Sequence, residues 1–254
     1  MRLFKSGDKK RVSRWWIDLA INLVVTLIAF TLSLFASERS KINAKKATAW
    51  NVAQVTLSNI DELINNYEVV TTYYDDFRDQ YNLIKEYYKR NERVPDSTCN
   101  EFVDYIEGWD VFATNRSPEM TFNTTFELWD YLENIPLIRR IGNCYAYSNA
   151  FQELYNRDLQ LIANLSLSGQ LDKLLDPHQK LHAIMNHIPF RNYMERSGAT
   201  SSAYHSMIER MKIMNNQNKI DMGVSDKDLD DLIAPLHWAA GEDEDCIFIV
   251  GPSL

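Results

Sequence analysis

The chain has 254 residues with a net charge of −8 at pH 7, and only eight glycines and seven prolines. So few turn-forming residues argue against a β-sandwich or barrel and favour long helices. The charge is uneven: residues 1–46 carry +7, and residues 47–254 therefore carry −15. Because so acidic a region repels nucleic acid and anionic lipid, we expect no nucleic-acid partner.

A basic tail, residues 1–14, precedes an apolar stretch from Trp15 to Ala36. These 22 residues are enough for a helix to cross a hydrocarbon core of about 30 Å. The stretch is longer than the apolar part of a signal peptide and lacks a full small-residue cleavage site, so we predict an uncleaved anchor. Six Lys/Arg precede it and four follow closely, which places the N-terminus in the cytoplasm and the acidic region outside.

Polar and small residues of this span recur every three or four positions, so they share one face of the predicted transmembrane helix. Helices that associate within membranes use small side chains for close approach and polar ones for hydrogen bonds. The pattern predicts a homo-oligomer or a membrane partner helix, besides the lipid bilayer itself. The association face comprises Asp18, Asn22, Thr26, Ala29, Ser33 and Ala36.

An apolar stripe with helical spacing runs from Ala49 to Tyr88. Residues 37–94 are therefore predicted to form a long helix or a helical-hairpin stalk. Four consecutive β-branched residues, 69–72, weaken helix propensity and are the candidate turn of a hairpin. The continuity of the stripe favours one helix. The stripe residues are Ala49, Ala53, Leu57, Ile60, Ile64, Tyr67, Thr71, Tyr74, Phe77, Tyr81, Ile84 and Tyr88.

Residues 95–254 read as an irregular helical bundle, so the predicted class is all-α. We expect Ser97 to open a helix through Phe112, followed by a loop over 113–122. Thr124 or Thr125 should start the next helix, with Phe126, Trp129 and Leu132 pointing inward. We further predict a kink or break at Pro136, helix ends at Gly142, Gly169 and Pro189, and an N-cap at Asp176. Two more helices are expected over Thr200–Asn218 and Asp226–His237. Residues 246–250 should form a docked tail or an edge strand.

Two histidines give the best case for a metal site. His178 and His182 are four residues apart, a spacing that lets two imidazoles share a metal on one helix face. The metalloprotease motif requires Glu after the first His, but this chain has Gln179. The alternative is an ordinary helix with two half-exposed histidines, and we predict no cofactor.

Other catalytic signatures are missing from the sequence. Asp226, Asp228, Asp230 and Asp231 lack the Gly and Glu that a calcium loop needs, and they suit a helix N-terminus instead. Cys99, Cys144 and Cys246 are widely spaced and form no CxxC, so we expect reduced thiols, with one bridge and one free thiol as the alternative. No glycine-rich phosphate loop or G-x-S-x-G motif is present.

The order of basic tail, Trp15–Ala36 span, Ala49–Tyr88 stripe and acidic helical region resembles that of single-span bacterial envelope proteins, many known only as domains of unknown function. The resemblance implies a bacterial inner membrane location. We therefore expect a non-enzymatic binding, scaffold or sensor subunit, whose acidic domain could bind a protein partner. The alternatives are a metal-dependent envelope enzyme using His178 and His182, or an immunity-type protein that binds a toxic partner.

Overall fold

The structure is a computed structural model that describes residues 8–107, 114, 116–167, 171, 174 and 176–229, without the side chains of 8–21 and 165–167. All regular secondary structure in these residues is helical, so the predicted all-α class is confirmed for them. The helices are α1 (Asp8–Lys89), α2 (Asp96–Glu107), α3 (Ser117–Thr124), α4 (Phe126–Trp129), a short 3-10 helix (Asp130–Leu132), α5 (Ile135–Leu167), α6 (Pro177–Asn186), α7 (Ile188–Met194) and α8 (Ser197–Met222).

The chain divides into two compact units. The first comprises Met1–Asn51 and Glu127–Glu133, and the second comprises Val52–Phe126 and Asn134–Leu254. Within the first unit, Lys46 forms an ion pair with Glu133 at 2.8 Å, and both side chains are largely exposed. Such exposed pairs contribute little stability, about 0–1 kcal/mol. The predicted domain boundaries at residues 14, 36 and 94 stay predictions. The first two fall inside the continuous helix α1, where the backbone does not change at a membrane boundary.

The apolar stripe of α1 is buried along almost its whole length. Eleven of its twelve residues are at most 4% exposed, and Tyr88 at the end is 43% exposed. Of the two alternatives that the sequence left open, the structure has one helix through residues 69–72. The β-branched run does not break it, because Val70 and Thr71 are buried and tertiary packing outweighs a small loss of propensity.

Helices α5 and α8 pack along this stripe in opposite directions. Tyr145 of α5 donates to Asn59 at 3.2 Å, and Gln152 donates to Tyr67 at 2.9 Å, so α5 runs parallel to α1. Asn215 of α8 donates to the Leu57 carbonyl at 3.0 Å. Farther along α1, Ser201 donates to Asp75 at 2.6 Å, so α8 is antiparallel to α1. The result is a three-helix core within the second unit.

The short helices α2, α6 and α7 cover the C-terminal part of α1. Phe77 of α1 stacks on Phe102 of α2 with ring centroids 5.3 Å apart, and Phe190 of α7 lies 6.1 Å from the same ring. All three rings are fully buried. Asp176 caps α6 as predicted, because its side chain accepts a hydrogen bond from the backbone N–H of His178.

Several predicted helix boundaries are wrong, and most of these errors involve proline. Pro118, Pro136 and Pro189 each lie in the first turn of a helix, where the missing N–H has no partner in any case. Residues 117–124 therefore form α3 rather than a loop. Gly142 lies inside α5 rather than at its end, with a Cβ position 3.9 Å from the Phe122 ring. Phe126 was expected to point inward, but it is 69% exposed.

The remaining predicted features are placed as follows. Helix α8 extends beyond the predicted Thr200–Asn218 at both ends. Ser225 begins a helical turn at 226–229, with its hydroxyl donating to Asp228 at 2.6 Å. The remaining predictions concern residues outside the described part of the chain. They are the end of the Ser97 helix at Phe112, the helix end at Gly169, the helix from Asp226 to His237, the thiol of Cys246 and the segment 246–250.

Truncating Phe77 tests whether the ring cluster holds the short helices on α1. We expect Phe77→Ala to lower the free energy of unfolding by about 3–5 kcal/mol, because the cavity adds to the lost apolar burial. Denaturant unfolding of the full chain in detergent measures it. Val69→Ala on the exposed side of α1 is the control and should change stability by less than about 0.5 kcal/mol. Equal effects of the two variants would contradict the packing.

Candidate functional site

The N-terminal part of α1 exposes a long apolar surface. It contains an 18-residue window with a mean hydropathy of 1.4, none of which is buried within the chain. Leu27, Phe30 and Phe35 are 62%, 65% and 72% exposed. By length and composition this is one candidate membrane span among the described residues, a test that core helices and signal sequences also pass.

The predicted association face lies on this exposed part of α1. Asn22, Thr26, Ala29, Ser33 and Ala36 are all exposed, and the side chain of Asp18 lies outside the described part. The Thr26 hydroxyl donates to the Asn22 carbonyl at 2.7 Å, which satisfies it inside the helix. The amide of Asn22 and the small residues therefore provide the contacts that another helix could use.

His178 lies at the contact between α6 and α2, in a cluster with Cys99 and Asp96. The Cys99 Sγ is 3.3 Å from His178 Nδ1, and the Asp96 carboxylate is 2.7 Å from Nε2. Arg93 also approaches Nε2 at 3.3 Å. The His178 hydrogen bond, helped by the Arg93 charge, lowers the pKa of Asp96. A thiol, an imidazole and a carboxylate in this order resemble the arrangement of nucleophilic cysteine sites.

The chemistry of Cys99 is nevertheless not that of a nucleophile. Its side chain is fully buried, and burial followed by the nearby Asp96 charge raises its pKa. A nucleophile needs both a thiolate and access for the substrate. The cluster instead fixes α6 against α2. Sequence analysis missed this cluster, because Cys99 and His178 are 79 residues apart and belong to no shared motif.

The structure gives His178 and His182 different partners. His182 is exposed and lies beside the Asn186 amide, 3.1 Å from its ring nitrogens. It lines an open groove of about 490 Å³ that also includes Tyr81, Lys85 and Glu195, the last two forming an ion pair. No group of three or more His, Cys, Asp or Glu residues that could hold a metal occurs in the described part of the chain.

A second cleft, of about 330 Å³, opens between α5, α7 and the start of α8. A carboxylate lies in its wall: Asp158 is 1% exposed and accepts a hydrogen bond from Tyr204 at 2.8 Å through Oδ2. Its Oδ1 has no hydrogen-bond partner among the described residues. The cleft is lined by Arg157, Asp158, Leu161, Pro189, Asn192, Tyr193, Arg196 and Thr200.

Burial raises the pKa of Asp158, and its neighbours offset this only in part. The hydroxyl groups of Tyr204 and Tyr193 and the charge of Arg157 lower it. The Tyr193 hydroxyl thus lies close enough to Asp158 to lower its pKa, although it forms no well-directed hydrogen bond within the described residues. Burial and the Asp158 charge in turn raise the pKa of Tyr193 and Tyr204, so both hydroxyls stay protonated at neutral pH. A carboxylate and a hydroxyl at this cleft thus retain unused hydrogen-bonding capacity.

Sequence reasoning missed Asp158, although a signal was present. The buried face of α5 includes Phe151, Tyr155 and Ile162, and the last two are seven positions apart. Asp158 fills that gap at the helical spacing of three and four. An acidic residue in register with a buried face marks either a polar core contact or a site.

Comparisons with protein-family models, with curated proteins and with solved structures find no match to this chain.

Thiol labelling tests the burial of the cysteine cluster. In a Cys246→Ser background, Cys99 and Cys144 should react with a thiol reagent at pH 8 at least 100-fold more slowly than in denaturant. Burial raises the pKa of both thiols, that of Cys144 to about 12. Replacing each cysteine with Ser identifies the reacting thiol. Fast labelling of native Cys99, abolished by His178→Ala, would show an activated thiolate and contradict a structural role.

Proposed function

We propose that the protein is a non-enzymatic, single-pass membrane protein whose helical bundle acts as a binding or scaffold subunit outside the cytoplasm. The observation that carries this proposal is that no residue of the apolar window in α1 is buried within the chain. In a helix that belongs to a soluble core, such a window is mostly buried. Here the same helix buries its stripe farther along, within the second unit, and leaves this part bare.

The energetics of the exposed surface favour lipid as its surroundings. Nine large apolar residues between Leu23 and Phe35 are 51–72% exposed. Transferring such a side chain from water to an apolar medium gains about 1.5–3 kcal/mol. A contiguous apolar surface of this extent is rare on soluble monomers and is typical of membrane or protein contact. The nine residues are Leu23, Val24, Val25, Leu27, Ile28, Phe30, Leu32, Leu34 and Phe35.

The flanking charges support the proposed orientation and partner. The basic residues on both sides of the span suit phospholipid headgroups, with the excess on the N-terminal side. The bundle carries most of the negative charge, which would hold it away from an anionic membrane surface and leave it accessible to a basic or neutral protein partner. A self-associating helix would present several copies of that acidic surface to the partner.

The non-enzymatic part of the proposal is supported by the sites themselves. The one Cys–His–carboxylate cluster among the described residues has its thiol buried and its pKa raised. His178 is engaged by Asp96 and Cys99, while His182 is beside Asn186, so the two imidazoles have separate partners. The metal-dependent alternative gains no support from this arrangement.

Selective labelling tests both the anchor and its orientation. In intact bacterial spheroplasts, with Cys246 replaced by Ser, we expect an impermeant maleimide to label Asn216→Cys on the exposed face of α8. It should label Ser6→Cys in the tail after permeabilisation alone. Carbonate washing should leave the protein in the membrane pellet, whereas Leu27→Lys with Phe30→Lys should release it, since each charge costs about 2.5–3.5 kcal/mol at mid-bilayer. Reversed labelling contradicts the topology, and full release of the parent contradicts the anchor.

Disulfide crosslinking tests the association face. Ser33→Cys should form a covalent dimer in membranes under mild oxidation, since Ser33 lies on the proposed face. Leu34→Cys is the matched control, because it lies at the same depth but about 100° around the helix, on the apolar side. We expect at least five-fold more dimer for Ser33→Cys, measured on non-reducing gels. Equal crosslinking at both positions, or none at Ser33, would contradict a specific contact.

A further inference from the structure

We propose that the cleft between α5, α7 and α8 binds a free α-amino acid, with its ammonium group at the Asp158 carboxylate and its carboxylate at the Arg157 and Arg196 guanidinium groups. This inference stands apart from the membrane anchor and depends on the second unit alone.

The first argument is the unused capacity of a buried carboxylate. Asp158 is 1% exposed, and its Oδ1 makes no hydrogen bond within the described residues. An unpaired polar atom in this setting is costly, and a buried carboxylate whose one cationic neighbour, Arg157, is 3.8 Å away is costlier still. Such a group persists where something outside the chain completes it. An ammonium group supplies both the opposite charge and the missing donors.

The protein's own cation does not complete the carboxylate. The nearest Arg157 guanidinium nitrogen is 3.8 Å from Asp158 Oδ1, beyond hydrogen-bond distance, and the Arg157 side chain is 71% exposed. A guanidinium at this distance covers the oxygen but is free to turn toward solvent or toward a ligand. Rotation of the Arg157 side chain would uncover Asp158 Oδ1. The same rotation would bring the paired guanidinium N–H donors to the carboxylate of a bound ligand.

The second argument is the pairing of charges around the cleft. Two guanidinium groups, Arg157 and Arg196, line it together with the single carboxylate of Asp158. The arginines disfavour a simple cation, and the buried carboxylate disfavours a simple anion. A molecule that carries one charge of each sign, a few ångströms apart, satisfies both. Free α-amino acids are the commonest small molecules with that arrangement.

The size and the remaining lining of the cleft fit such a ligand. Its volume of about 330 Å³ is at the lower end of the range for small-molecule sites. Leu161 and Pro189 provide an apolar wall for a side chain. The Tyr193 hydroxyl, which lies near Asp158 without a well-directed hydrogen bond in the described residues, adds a donor and acceptor beside the carboxylate.

The experiment uses the full-length protein in detergent micelles and each of the twenty common L-amino acids at millimolar concentration. Thermal unfolding identifies binding, and calorimetric titration of the best amino acid gives its Kd. We expect at least one amino acid to raise the Tm by 2 °C or more. Its N-acetyl and amide derivatives, which lack the ammonium and the carboxylate respectively, should bind at least ten-fold more weakly.

Matched variants assign the binding to the cleft. Asp158→Asn keeps the side-chain volume, Arg196→Gln replaces the charged guanidinium with a shorter neutral amide, and each should weaken binding at least ten-fold. Glu153→Gln removes an exposed carboxylate from the same helix and should leave the Kd unchanged. Without ligand, Asp158→Asn should be more stable than the parent at pH 7, and the difference should shrink as the pH falls and the carboxyl takes up a proton.

Three results would overturn the proposal. The first is that none of the twenty amino acids changes the Tm. The second is that binding persists undiminished in both Asp158→Asn and Arg196→Gln, which would place it elsewhere. The third is that the N-acetyl derivative binds as tightly as the free amino acid, which would show that Asp158 contacts no ammonium. If Asp158→Asn does not fold, Arg196→Gln and the two derivatives still decide.

Discussion

The structure depends on one constraint, the burial of the apolar stripe on α1. Tyr67, Tyr74 and Phe77 on this stripe are at most 1% exposed, and a different helix covers each of them. Tyr67 stacks on Phe151 of α5 at 4.1 Å, Tyr74 meets Tyr204 of α8 edge-on at 5.4 Å, and Phe77 stacks on Phe102 of α2. Because large aromatic rings dominate the apolar area that folding removes from water, their positions decide where the other helices lie.

Polar contacts then fix the register of helices that apolar packing alone would let slide. The Tyr67 hydroxyl lies 2.6 Å from the Ser148 hydroxyl, and Asn215 donates to both the Leu57 carbonyl and Asp61. The two hydroxyls and the Asn215 amide nitrogen each have a partner, as is usual in stable cores. Asp158 of α5 differs, because the buried atom that lacks a hydrogen bond within the described residues belongs to a carboxylate, whereas Thr71, Asn215 and Asn218 each leave one atom of a neutral group unpaired. The charge of the unpaired group is what distinguishes the candidate site from a core contact here, because a buried carboxylate costs more than a buried amide or hydroxyl.

The parts of the fold that sequence analysis predicted are those with a repeating physical cause. The stripe of α1 follows the helical period, and its burial agrees with it. Proline misled the prediction at Pro118, Pro136 and Pro189, because the same ring that breaks a helix interior is suited to a first turn. The candidate sites were harder to predict from the sequence. Cys99 approaches His178, and Asp158 approaches Tyr204, only after distant helices pack, so no local spacing records either contact.

The position of the stripe at the start of the chain has a consequence for biosynthesis. Its partners lie far along the sequence: Asn215 contacts Leu57 across 158 residues. During translation, α1 emerges first, α2 and α5 follow to cover Phe77 and Tyr67, and the side of the stripe that α8 covers has no native partner until residues 197–222 have been made. Such long-range contacts slow folding and expose apolar surface to aggregation. A chain that ended before residue 197 would therefore leave Tyr74 and Leu57 without their α8 partners and expose apolar surface.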